Sequence, residues 1–284
     1  MTSNKDILQV NVENVIKSKA PKAYKKIPGF FIRLIEMIIR QKELNNILSD
    51  RKYSELPNGL LHGVDFASGV LTTLNVDIEL VGEENIPTDG KFIFASNHPL
   101  GGLDGMALIS FFGKRYNNNI RFIVNDLLMH LENLASVFIP INKHGNQSKD
   151  NAKAINDEFD SENQILIFPA GLCSRLQGDD VKDLEWKKAV IAKSIEFKRD
   201  IIPLYFDGEN SGFFYKFAKW RKALGIKANI EMALLPGEML KNNNKTFKVR
   251  VGKPISWQTF DKTKSQRAWA EYLKNKVYQL KQSN

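Results

Sequence analysis

Apolar residues run along this chain in two rhythms. Short runs of strand length recur at Val76–Val81, Phe92–Ser96, Arg121–Val124, Val137–Ile141, Ile165–Phe168, Ile201–Phe206, Ile230–Leu234 and Phe247–Val251. They are rich in β-branched and aromatic residues and are bounded by Gly, Asn, Pro or charged clusters, the signature of strands. Between them, apolar residues return every three or four positions over roughly Asp104–Phe112, Lys149–Phe159, Glu185–Phe197, Gly212–Leu224 and Lys264–Lys281. That spacing predicts helices, with a shorter one expected at about His62–Leu74. Ile165–Phe168 and Ile201–Phe206 are apolar at successive positions, so both of their faces must be covered, as in buried parallel strands. The alternation predicts an α/β fold with a largely parallel central sheet flanked by helices.

The N-terminal part has a different pattern. From Pro28 to Leu48 the residues Phe30, Phe31, Leu34, Ile35, Ile38, Ile39 and Ile47 fall largely at helical spacing, while Lys17, Lys19, Lys22, Lys25, Lys26, Arg33, Arg40 and Lys42 crowd the N-terminal segment. Such a helix can lie in a membrane interface or pack its stripe on the rest of the protein. The polar stretch Lys52–Gly59 suggests a hinge, which divides the chain into a basic amphipathic segment, 1–58, and an α/β domain, 59–284.

Composition narrows the function classes. With 43% hydrophobic and 26% charged residues, the chain has enough apolar material for a core and is not low-complexity. Cys173 is its one cysteine, which excludes an internal disulfide framework and a CxxC metal site. His62, His98, His130 and His144 form no HExxH pair, so no metal is expected, and all but His98 read as structural or exposed. No apolar run approaches the roughly 20 residues needed to span a bilayer, and the start has no secretory pattern. A cytoplasmic location is the resulting expectation. A net charge of +9 suits a polyanionic partner. No nucleic-acid motif accompanies it, so the expected surface is the anionic inner leaflet and not a nucleic acid.

The chemistry concentrates in FIFASNHPLGGLDG, Phe92–Gly105. A strand run ends at Ser96, then Asn97 and His98 precede a glycine-bearing turn, Asp104 and a helical run. Catalytic groups of open α/β sheets sit at such strand ends. Asp104 suits a helix start, and folded back it can reach one imidazole nitrogen of His98, leaving the other as a base.

Residues from about Leu80 to Pro254 resemble the glycerolipid acyltransferase superfamily, which includes the lysophosphatidic acid acyltransferases. Its four ordered blocks have counterparts in Asn97-His98 with Asp104, in Val137–Lys143 (VFIPINK), in Phe168–Arg175 (FPAGLCSR) and in Ile201–Leu204 (IIPL). The resemblance implies that His98 is the general base and Asp104 its partner, with Asn97, Lys143, Phe168, Pro169, Gly171, Ser174 and Arg175 around the substrates. It further implies direct transfer from an acyl carrier protein or coenzyme A thioester, with no cofactor and no role for Cys173. Backbone N–H groups around Gly171 are expected at the oxyanion.

The chain departs from the family pattern in three ways. The His98–Asp104 spacing is one residue longer than usual. Ala170 stands where the third block is acidic. Cys173 and Lys143 stand where arginines grip an acceptor phosphate, and lysine is a poorer match to phosphate geometry. NHPxGGxDG, PAGxxSR and the later Tyr205–Tyr215 run look closest to the hemolysin-like branch, which includes acyltransferases completing lyso-ornithine and lyso-glycine lipids. The expectation is therefore a membrane-associated O-acyltransferase acting on a lyso-aminolipid. The alternatives are a 1-acylglycerol-3-phosphate acyltransferase and a non-catalytic basic membrane-binding protein.

Overall fold

The computed structural model describes residues 29–38, 55–56, 59–125, 128, 131–141, 149–223, 225 and 229–282, with isolated positions at 13, 17, 24 and 42. The amphipathic N-terminal helix is thus described only over Gly29–Ile38 (α1), and most of the expected hinge lies outside the described residues. The helices that follow are α2 (Gly63–Thr73), α3 (Leu103–Arg115), α4 (Lys149–Asp160), α5 (Ala189–Glu196), α6 (Gly212–Ala223), α7 (Leu235–Lys241) and α8 (Gln266–Gln279). The strands of the main sheet are β1 (Asp77–Val81), β2 (Phe92–Ser96), β3 (Ile120–Asn125), β4 (Phe138–Ile141), β5 (Gln164–Ile167), β6 (Asp200–Asp207) and β7 (Thr246–Val251).

These seven strands lie in the order β1-β7-β6-β2-β5-β3-β4. Every neighbouring pair is parallel except β6 with β7, where Leu204 faces Val251 across an antiparallel ladder. The expected α/β architecture is therefore present. β2 sits between β6 and β5, in register from Asp200 opposite Phe92 to Leu204 opposite Ser96.

Alternation along β2 separates two cores. Phe92 and Phe94 face a cluster with Val64, Phe66 and Val70 of α2 and with Leu108 and Phe112 of α3. Ile93 and Ala95 face Ile155 of α4, Val190 of α5 and Leu273 of α8. All five residues of β2 are buried, which is why the run FIFAS shows no polar alternation. Arg199, fully buried just before β6, turns a helix end into a junction. Its Nε donates to the carbonyl of Phe159 in the last turn of α4 (2.6 Å) and its Nη1 to that of Asn163 just before β5 (2.7 Å). Cations satisfy the unpaired carbonyls of a helix C-terminus.

One expected strand is absent. Ile230–Leu234 forms a 3₁₀ turn that runs straight into α7, with Pro236 in that helix's first turn. Proline is at home there because the first N–H groups of a helix lack partners, and this outweighs the strand-like run. Helix α5 also begins at Ala189, not at Glu185, because the Lys187 N–H donates to the carbonyl of Pro169 (3.0 Å) and holds that stretch against the end of β5.

Candidate active site

Two residues beyond the end of β2, the chain reverses through Pro99–Gly102 and enters α3. Gly101 has φ of +76° in this turn. The conformation favours glycine, and a Cβ there would lie 2.5 Å from the Leu235 side chain and force it to shift. The reversal brings Asp104 back under His98, whose Nδ1 lies 2.9 Å from Asp104 Oδ2. A carboxylate only accepts, so the ring proton sits on Nδ1 and Nε2 presents its lone pair. Asp104 is not a helix cap. Gly102 precedes the helix, and the Asp104 oxygens accept from the N–H groups of Leu100 (2.9 Å), Gly101 (3.4 Å) and Gly105 (2.9 Å).

Burial by itself would raise the Asp104 carboxyl. The facing His98 and the amides of Leu100 and Gly105 outweigh it and hold the group below the ordinary carboxylate range. A depressed carboxyl contributes stability that is complete above the unfolded value and is lost as pH falls through the folded one. The melting temperatures of the wild type and Asp104→Asn should therefore differ at neutral pH and converge only in acid, below the ordinary carboxylate range.

The histidine is held through both its ring and its backbone. Its ring stacks on Phe168, immediately after β5, with centroids 3.9 Å apart and planes 16° from parallel. Its backbone carbonyl accepts from the Ser174 N–H (2.7 Å), and its own N–H donates to Asp183 Oδ1 (3.2 Å). Asp183 also accepts from the Ser174 hydroxyl (2.6 Å) and from Trp186 Nε1 (2.8 Å). Burial pushes the Asp183 carboxyl up against these donors. Sequence reasoning missed this residue. It stands in the charged run GDDVKDLEW, where Trp186, three positions on, is the only local sign that it is buried.

Other residues singled out from sequence are placed as follows. Asn97 sits with its side-chain amide against β6 and not toward substrate. Its Nδ2 donates to the Phe206 carbonyl (2.9 Å) and its Oδ1 accepts the Phe206 N–H (2.7 Å), so it extends the β2–β6 ladder by one more rung. The Gly171 N–H donates to the Phe168 carbonyl (2.9 Å), closing the turn in which Gly171 has φ of +65°. That amide is thus engaged within the turn where an oxyanion donor was expected. Ala170 packs in the second core, which leaves no polar setting for the acid usual at that place.

Arg175 also departs from the expectation of a substrate anchor. Its guanidinium points inward, donating from Nη1 to the Cys173 carbonyl (2.6 Å) and from Nη2 to Glu231 Oε1 (2.9 Å). Arg221 of α6 pairs with the same carboxylate through its Nε (2.8 Å), forming a buried Arg–Glu–Arg triad. Arg175 Nη1 lies 2.8 Å from Cys173 Sγ, yet burial pushes that thiol up to about 11. A thiol so placed stays protonated and is a poor nucleophile. Lys143 and two of the histidines, His130 and His144, lie outside the described residues. Among the described residues, no group of three or more His, Cys, Asp and Glu is arranged to hold a metal ion.

His98, Asp104, Phe168, Pro169 and Ser174 thus converge where β2 and β5 end. An imidazole backed by a buried carboxylate at parallel strand ends is an arrangement suited to general-base chemistry in an α/β enzyme. Residues 14–284 match the family described as Acyltransferase, and the chain belongs to that family. It is 52% identical over 274 residues to a lyso-glycine lipid O-acyltransferase of Phocaeicola vulgatus, covering 96% of each chain. It is 48% identical over 271 residues to a protein of the same name from Bacteroides thetaiotaomicron, covering 95% of this chain and 97% of that one. The crystal structure of the 1-acyl-sn-glycerophosphate (LPA) acyltransferase PlsC from Thermotoga maritima aligns over 90% of this chain and 89% of its own, at 16% identity and a TM-score of 0.49.

Proposed function

We propose that this acyltransferase moves a fatty acyl group from an acyl carrier protein or coenzyme A thioester to the hydroxyl of a lyso-aminolipid, of which lyso-glycine lipid is the first candidate. His98 Nε2 removes the proton from the lipid hydroxyl as its oxygen attacks the thioester carbonyl. Asp104 stabilises the imidazolium that results, and the thiolate leaves with that proton. Acyl carrier protein or coenzyme A serves as co-substrate and no further cofactor takes part. The enzyme works peripherally at the inner face of the cytoplasmic membrane, a location favoured by its +9 net charge.

The observation that carries this reading is the 2.9 Å contact between His98 Nδ1 and Asp104 Oδ2, because it fixes the tautomer a base requires. The acceptor is argued from the relatives' names together with the place of Arg175. An arginine committed to Glu231 is not available to grip a phosphate bidentately, so the chemistry favours an acceptor whose headgroup carries no phosphate.

The test is a panel of acceptors presented with each thioester: lyso-glycine lipid, lyso-ornithine lipid and lysophosphatidic acid. The lyso-aminolipids should be acylated at least about tenfold faster, since Arg175, committed to Glu231, does not offset the desolvation of a phosphate. Equal or faster turnover of lysophosphatidic acid would overturn the acceptor assignment.

A further inference from the structure

Helix α6 has an outer face that the chemistry above leaves unused. Its inner side packs Phe214 and Tyr215 with Cys173, Leu234 and Leu235, buries Ala218, and turns Arg221 to Glu231. Its outer side carries Phe213, 51% exposed, and Trp220, 56% exposed, with Phe217 half-buried between them. The rings form a ladder at i, i+4 and i+7, with centroids 6.0 Å apart for Phe213–Phe217 and 5.9 Å for Phe217–Trp220. Lys216 and Lys219 are exposed along one side of this stripe, on a helix with no acidic residue. The 3₁₀ turn that packs against α6 adds Ile230, 42% exposed.

Single exposed apolar residues are ordinary, but a stacked aromatic stripe edged by cations of one sign is a surface shaped for a partner. We infer that this face of α6 docks on an anionic bilayer, with the rings at the headgroup level and the lysines against lipid phosphates. Aromatic rings and snorkelling lysines are the side chains suited to that layer. An acidic carrier protein would satisfy the lysines without calling for three rings, so the bilayer is the better fit to the whole face.

The position of the helix strengthens the case. Just before α6, Asn210 donates from Nδ2 to the Pro99 carbonyl (3.1 Å), next to His98, and its N–H donates to Tyr215 Oη (3.0 Å). From Gly212 to Trp220 the helix axis spans only about 12 Å. A face resting on lipid there keeps the His98 turn within a short reach of a lysolipid that has one chain still in the bilayer. The inference rests on the proposed lipid acceptor only for this last consequence.

The test uses the full chain with vesicles of phosphatidylcholine, alone or mixed with phosphatidylglycerol, and the variants Phe213→Ser/Trp220→Ser and Lys216→Glu/Lys219→Glu. Both variants should bind anionic vesicles at least about tenfold more weakly than the wild type. Trp220 fluorescence, read as the difference between the wild type and Trp220→Phe, should be quenched by brominated lipid. Acylation of a detergent-dispersed acceptor should be unchanged in both variants, while KM for a vesicle-embedded acceptor rises. Wild-type vesicle binding by both variants, or no Trp220 quenching, would overturn the inference. So would a raised KM for the carrier-protein thioester in detergent, since it would make the face a carrier dock. Absence of transfer by the wild type in detergent would sink the catalytic reading instead, while binding and quenching still report on docking.

Discussion

Replacing His98 by alanine should lower acyl transfer by about 10²–10⁴-fold, the usual contribution of a positioned general base, and leave the fold in place. The reasoning lies in what Asp104 keeps when the ring is gone. A buried carboxylate that loses its partner is normally costly, but Asp104 retains the N–H groups of Leu100 and Gly105 at 2.9 Å each. The lost ring was partly exposed and stacked on one face only, against Phe168. Kinetics and a thermal melt on the same preparation check both halves. A fall in kcat with a modestly lowered melting temperature and a retained cooperative transition is expected, and wild-type turnover would remove His98 from the chemistry.

The second large effect is expected on stability. Glu231 is fully buried and is the carboxylate shared by Arg175 and Arg221. Glu231→Ala would leave two buried guanidinium groups facing each other without it, and breaking a buried pair in this way costs about 3–5 kcal/mol. Chemical denaturation should show a lowered midpoint with an unchanged slope. Replacing Arg175 and Arg221 together with Glu231 by apolar residues of similar volume should recover most of the loss, because removing a whole buried triad also removes its desolvation penalty. A single variant as stable as the wild type would mean that water or relaxation satisfies the arginines.

The parts of the fold visible in the sequence are those where one physical signal dominates. Phe92–Ser96 reads as a buried strand because every position is apolar or small, and it is one, to the residue. The meeting of His98 with Asp104 was legible because the glycines between them mark a reversal, and Gly101 does adopt the left-handed conformation. Ile230–Leu234 has the composition of a strand, and Pro236, which belongs to a helix start, lies just beyond that run. Roles that depend on partners distant in sequence were not legible. Asn97 is matched to Phe206, Arg175 to Glu231, and Asp183 to a backbone N–H 85 positions before it. Periodicity records which face a residue occupies, and these partners are chosen by the packed sheet. The hairpin Arg175–Gln177/Asp180–Lys182, which carries Arg175 inward and leads to Asp183, also escaped notice. Its strands are short and polar, and Gly178, with φ of +66° between them, was its one marker.

The account's central claim is that the acyl group passes directly from the thioester to the lipid hydroxyl while one imidazole carries only the proton, and that the protein itself is never acylated. Single-turnover mixing of enzyme, labelled acyl thioester and lyso-glycine lipid, followed by intact-mass spectrometry at each time point, tests it most directly. The expected record is diacylated lipid appearing in one phase while the protein mass stays unchanged. An acylated protein, on Cys173 or anywhere else, that builds up and decays fast enough to precede the product would contradict it.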